Sequence, residues 1–158
     1  MRRHLRPAFL LTALLIATVP VAADVPFLEG DIHGIELCPK EFCTVAIFIG
    51  EFDGQVNGVP RHGVFLAGID HELPLPVVTN GTADITGGSF VIRILFRTIP
   101  GVVLGGTLTK NEDETFDAVM SLLVARPGGL PPVPATFVGT LSHEVFPPEI
   151  DGTLETLQ

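Results

Sequence analysis

The sequence contains no tryptophan and no tyrosine, and its aromatic side chains are 11 phenylalanines. Tryptophan and tyrosine usually supply the flat, amphipathic platforms of carbohydrate-binding surfaces, so their absence weighs against that function. Basic residues are also scarce, with 9 Lys+Arg against 18 Asp+Glu. Because an acidic surface repels phosphate backbones and anionic lipid, we expect no nucleic-acid partner and no docking on an anionic membrane.

The motifs of several enzyme classes are missing as well. The sequence has no G-x-S-x-G elbow, no H-E-x-x-H metal motif and no phosphate-binding glycine loop. Its serines and threonines have no visible base and orienting group assembled around them, so no nucleophile can be nominated. The sequence therefore predicts no catalytic residue.

The amino terminus has the pattern of a secretory signal peptide. Three arginines precede an apolar run over residues 8–19, and the small-residue exit "VAA" follows. A membrane-spanning helix needs roughly 20 apolar residues, which is more than this run provides. We expect residues 1–23 to be removed and residues 24–158 to form one domain outside the cytoplasm, secreted or in the periplasm, without membrane insertion. Loss of the three arginines leaves six basic against 18 acidic residues, a net charge of −12.

Only two cysteines are present, Cys38 and Cys43, on either side of "PKEF". In an exported protein, a pair this close in sequence indicates a disulfide that closes a hairpin turn. Metal binding by two cysteines alone would need further ligands. The segment "NGT", which begins at Asn80, is an N-glycosylation sequon where the host glycosylates and a turn otherwise.

Almost everything after residue 31 has the pattern of strand and turn, with no sustained helical periodicity. Phe90, Ile92, Ile94 and Phe96 share one face of a strand, while Arg93 and Arg97 point the other way. A second alternating stripe comprises Phe116, Ala118, Met120, Leu122 and Val124. The sequence predicts an all-β, single antiparallel domain of about eight strands.

A small up-and-down barrel is favoured over a two-sheet sandwich, because consecutive strands are joined mostly by short turns. Glycines inside the strands suit tight bends or bulges. These are Gly34, Gly50, Gly68, Gly105, Gly106 and Gly139.

Two similar segments each contain a His-Glu pair, "IDHELPLP" at 69–76 and "LSHEVFPP" at 141–148. A shift of 72 residues aligns one segment with the other. The similarity reflects either a duplication or convergence on one way of ending a strand. Neighbouring residues on a strand point to opposite faces. His71 and His143 therefore belong to the core-facing stripes, and the adjacent glutamates face outward.

If four strands separate the two segments in up-and-down order, both histidines lie near the same rim. His33 begins its strand, so the same counting places it toward the opposite rim. His71 and His143 could share a metal ion or orient a ligand, and Glu51, predicted at the end of another strand, is a possible third group. The simpler interpretation is that each histidine caps the core at a strand end with a hydrogen bond.

Together these patterns predict an exported, non-catalytic β-domain that binds a small ligand or has a structural or interaction role outside the cytoplasm. The expected partner is a small apolar molecule or a protein, and the oligomeric state is left open. No cofactor is expected unless a metal ion lies at His71 and His143. The alternative is a metal-dependent or histidine-based enzyme with its site at the barrel mouth beside those two residues.

Overall fold

The computed structural model describes residues 25–37, 44–72 and 81–157. These residues form eight β-strands and a short 3-10 turn, Pro127–Gly129. The strands are β1 (Leu28–Leu37), β2 (Val45–Val56), β3 (Val59–His71), β4 (Thr82–Ile94), β5 (Arg97–Lys110), β6 (Thr115–Val124), β7 (Val133–Ser142) and β8 (Glu149–Thr156).

Three predictions fall on parts of the chain outside those ranges. They are the leader at residues 1–23, the disulfide between Cys38 and Cys43, and the sequon at Asn80. All three stay predictions.

The eight strands form one closed, antiparallel barrel in which each strand pairs with the next. Pairing of β1 with β8, where Gly34 lies opposite Ile150, completes the ring. The prediction of an all-β, up-and-down barrel is confirmed. Closure leaves no free sheet edge to pair with another chain.

Because successive strands alternate in direction, every connection lies at one of two ends. We call one the histidine end; β3 and β7 finish there, at His71 and Ser142. We call the other the arginine end; it carries the β2–β3, β4–β5 and β6–β7 connections, with Arg97 and Arg126 in or beside them. The two ends differ in shape and chemistry.

The barrel interior is lined by apolar side chains from all eight strands. The predicted stripe from Phe116 to Val124 is buried throughout. The other stripe is buried from Phe90 to Ile94, but Phe96 is fully exposed. The strand ends at Ile94, and Leu95 turns the chain with a φ of 48°, so the alternation stops before Phe96.

Three interior phenylalanine rings lie over pairs of glycines that face each other on neighbouring strands. The ring of Phe52 lies over Gly30 and Gly54, where an added Cβ would come within 2.7 and 2.8 Å of ring carbons. Phe65 lies in the same way over Gly34 and Gly50, and Phe137 over Gly139 and Gly152. Because these glycines have no side chain, the space above them is left for the phenylalanine rings.

This packing corrects part of the expectation for the strand glycines. Gly105 does lie at a bulge, where the register of β5 against β6 shifts and its φ is 150°. The register of β1 with β2 and of β7 with β8 is continuous through Gly34, Gly50 and Gly139. At those positions the glycine makes room for a ring instead of forming a bulge.

The packed rings leave little empty volume inside the barrel. A cavity at its centre measures about 40 Å³, and a second beside His71 measures about 10 Å³. Sites for small organic ligands usually measure about 300–1,000 Å³. The interior is therefore a core and not a ligand chamber.

We predict that Gly30→Ala lowers the free energy of unfolding by about 2–3 kcal/mol, because the new methyl group overpacks the interior. The added Cβ would lie 2.6 Å from the backbone oxygen of Asp53 and 2.7 Å from the ring of Phe52. Urea unfolding measures the loss.

Gly68→Ala is the matched control, since Gly68 also lies inside a strand but has no atom within 4 Å of its added Cβ. We expect this change to alter stability by less than about 1 kcal/mol. Equal losses in the two variants would show that the ring does not depend on the glycine for space.

Candidate functional site

His71 is the last residue of β3 and points into the barrel at the histidine end, with 4% of its surface exposed. Its backbone N–H donates a hydrogen bond to the carbonyl of Thr44, at 2.9 Å. The neighbouring cavity of about 10 Å³ is too small for more than a water molecule. The imidazole is therefore part of the packed core.

His143 follows the last residue of β7 at the same end, so the placement predicted by counting strands agrees with the structure. Its Nε2 donates to the Oε2 of Glu36, at 2.9 Å. The imidazole also meets the ring of Phe116 edge-on, with centroids 5.6 Å apart. These contacts fix the side chain against the rim of the core.

Glu36 was not among the candidate residues, yet it is one of the few buried charged groups, with 4% exposed. It lies on the inward face of β1, and its N–H donates to the carbonyl of Pro148 at 2.7 Å. The segment "DIHGIELC" has apolar residues on both alternating faces, so the pattern does not show which face is inward. Only the pairing of β1 with β2 and β8 shows that Glu36 is on the inward face.

Glu51 does not join the two histidines. It lies in the middle of β2 with its side chain exposed on the outer wall, directly across from His33 on β1. The sequence places it at a strand end, but β2 continues to Val56. Glu51 therefore belongs to the outer surface and not to the barrel mouth.

His33 lies partway along β1 and faces outward, so its predicted place at the opposite rim is wrong. Its Nδ1 contacts a carboxylate oxygen of Asp151 on β8. The hydrogen bond and the charge of Asp151 raise the pKa of His33, with smaller contributions from Glu149 and Glu51. This part of the outer wall is an acidic face.

The histidine end has the chemistry of a sealed core boundary. Lys110, the last residue of β5, pairs with Glu114 at 2.6 Å, and the Glu36 carboxylate accepts from His143. Within the described ranges, no group of three or more His, Cys, Asp and Glu side chains is arranged to hold a metal ion. Metal binding at His71 and His143 therefore gains no support from the geometry.

A much larger recess lies at the arginine end. A cleft of about 480 Å³ opens between the start of β1, the β4–β5 turn and the segment after β6. Its walls are largely apolar and also carry Asn57, Thr98, Arg97 and Arg126; the apolar members are Phe27, Val56, Ile99, Pro100, Ala125 and Pro127. Below it, Leu28, Phe52 and Val124 are fully buried and close the barrel. Its volume exceeds the cavities of about 40 and 10 Å³ inside the barrel and a recess of about 150 Å³ beside it.

This end was not predicted from the sequence. The predicted stripe runs through Phe96, so the turn at Leu95 that places Arg97 at the start of β5 was not visible in the pattern. The depth of the cleft was not predictable, because its walls come from three connections far apart in sequence.

The outer wall carries a further feature, a side that is apolar. Ile49 on β2 lies next to Leu66 on β3, and both are nearly half exposed. Val102 and Leu104 on β5 are exposed to a similar degree. Among the described residues, no helix is long and apolar enough to cross a membrane.

No protein-family model matches the chain, and no curated protein or solved structure matches it either. The function of this barrel is therefore inferred from its own residues and geometry.

We predict that His143→Ala lowers the free energy of unfolding by about 1–3 kcal/mol, because it removes a hydrogen-bond donor from a buried carboxylate. A double-mutant cycle with Glu36→Gln measures how much of that loss depends on the pair. Thermal or urea unfolding supplies the four free energies.

His62→Ala is the control, since His62 is exposed on β3 and its loss should cost less than about 0.5 kcal/mol. If His143→Ala costs no more than this control, the contact with Glu36 does not stabilise the histidine end.

Proposed function

We propose that this chain is an exported, non-catalytic binding protein that holds a small apolar molecule in the cleft at the arginine end. Export is supported by the leader pattern of residues 1–23. Binding is supported by the cleft volume of about 480 Å³, which is within the range of small-molecule sites. Because the interior is packed, the ligand is placed in the cleft at the barrel mouth and not inside the barrel.

The cleft has the composition that such a role requires. Most of its wall is aliphatic, aromatic or proline surface, and a few polar groups are available to orient a ligand. Its walls are held in place by the barrel, since the N–H of Ala125 donates to the carbonyl of Pro100 and that of Asn57 donates to the carbonyl of Phe27, each at 2.9 Å. A recess fixed in this way loses little entropy when it binds.

A structural or interaction role is the second candidate, and the apolar side of the outer wall supports it. Extended exposed apolar patches commonly mark contact surfaces. The small-ligand function places the binding surface at the barrel mouth, whereas the interaction function places it on the outer wall. The enzyme alternative gains no such support, because the described residues around His71 enclose a cavity of only about 10 Å³.

A neutral, apolar fluorescent dye such as N-phenyl-1-naphthylamine tests the proposal with the exported, processed protein. We expect saturable binding at one site, with a dissociation constant on the order of 10 µM. Ala125→Phe fills part of the cleft and should weaken binding about tenfold.

Val138→Phe is the matched control, because it adds the same ring to the exposed outer wall of β7. Binding that survives Ala125→Phe unchanged would place the dye on the outer wall and favour the interaction role. Absence of any saturable binding would contradict the small-ligand proposal.

A further inference from the structure

We propose that the cleft selects anionic amphiphiles, meaning an apolar chain that carries a carboxylate or phosphate head group. This inference rests on the proposed binding function and names the chemical class of its ligand. Four observations carry it: the distribution of arginines, their lack of carboxylate partners, the polar groups of the cleft, and the turn beside it.

The few basic residues of this acidic chain are concentrated at one end. Arg61 lies near the start of β3, Arg93 next to the end of β4, Arg97 at the start of β5 and Arg126 just after β6. All four arginines of the described ranges therefore lie toward the arginine end. A net negative charge describes the whole surface and does not exclude a local positive site.

No carboxylate of the described residues forms an ion pair with these arginines. In the described part of the chain, the ion pairs involve His33, Lys110 and His143, and no arginine pairs with a carboxylate. Arg61 donates to the carbonyl of Pro60, a neutral acceptor, at 3.1 Å. Their charge is available to an external anion.

Two of the arginines line the main cleft, and a side recess brings in a third. Arg97 and Arg126 are lining residues of the cleft, and no Asp or Glu lines it among the described residues. Arg61 and Arg97 line the adjoining recess of about 150 Å³. The Nε of Arg126 is buried and has no hydrogen-bond partner within the described ranges.

Arg97 and Arg126 place positive charge beside an apolar cleft, and this charge favours an anionic group of a ligand there. Guanidinium groups bind carboxylates and phosphates through parallel hydrogen bonds, and such charge-assisted bonds are stronger than neutral ones. The apolar walls then suit a hydrocarbon chain attached to that head group. The cleft thus joins the two recognition elements of an amphiphile.

The β4–β5 turn extends the apolar surface next to the arginines. Leu95 is 79% exposed and Phe96 fully exposed, directly before Arg97. Leu95 has a φ of 48°, a left-handed conformation that is unfavourable for leucine. Strain that exposes two large apolar side chains does not serve the core, and it fits a surface that receives a ligand chain.

The test compares decanoate and decyl phosphate with methyl decanoate and decyltrimethylammonium, each below its aggregation concentration, as competitors of the neutral dye. We expect the anions to bind at least about tenfold more tightly than the ester or the cation. The double substitution Arg97→Gln/Arg126→Gln should reduce this preference to about twofold. An unchanged unfolding midpoint confirms that the variant is folded.

Arg93→Gln is the matched control, since it removes one arginine at the same end that does not line either recess. Arg93→Gln should leave the preference for anions unchanged, whereas Arg97→Gln alone should reduce it. Equal effects of Arg93→Gln and Arg97→Gln would assign the preference to long-range charge and overturn the site.

A vesicle-binding measurement identifies whether the amphiphile is a membrane lipid or a soluble molecule. Binding to vesicles of equimolar phosphatidylcholine and phosphatidylglycerol, weakened by Arg97→Gln/Arg126→Gln, assigns the head group to a membrane lipid. Binding of free decanoate without vesicle binding assigns it to a soluble amphiphile. Dye binding with no preference for anions would overturn this inference alone, whereas absence of dye binding would overturn the proposed function as well.

Discussion

The packing of phenylalanine rings over facing glycines is the interaction on which the rest of this barrel depends. An eight-stranded barrel has an interior just wide enough to be filled by side chains or to hold one small ligand. Here Phe52, Phe65 and Phe137 each use the space of two glycines on adjacent strands. The rings can therefore lie against the barrel wall inside the core, where the central cavity measures only about 40 Å³.

A filled interior moves any binding function to the ends and the outer wall. At the histidine end, His71 completes an apolar stripe and His143 donates to the buried Glu36, so polar groups close the core. At the arginine end, the connections stand away from the closed mouth and form a cleft. Among the described residues, the fold thus combines a histidine end closed by the core with an arginine end that carries a cleft.

The features predicted from the sequence were those that depend on local patterns. Alternation identified the buried stripe from Phe116 to Val124, and counting strands placed His71 and His143 at one end. Glu36 was missed because its strand is apolar on both faces, so its direction depends on pairing with β2 and β8. The role of Gly34 and Gly50 was missed for the same reason, since only the register brings them together under Phe65.

Methyl NMR of the isoleucine, alanine and methionine side chains during a decanoate titration tests the central claim most directly. If the interior is a core and the arginine end holds the ligand, the largest shift changes should fall on Ile99, Ala125 and Ile94, which line the cleft and its side recess. Methyl groups deep inside, such as those of Ala67 and Met120, should change little. Large changes at Ala67 and Met120 would show that the ligand enters the barrel, and would contradict the account.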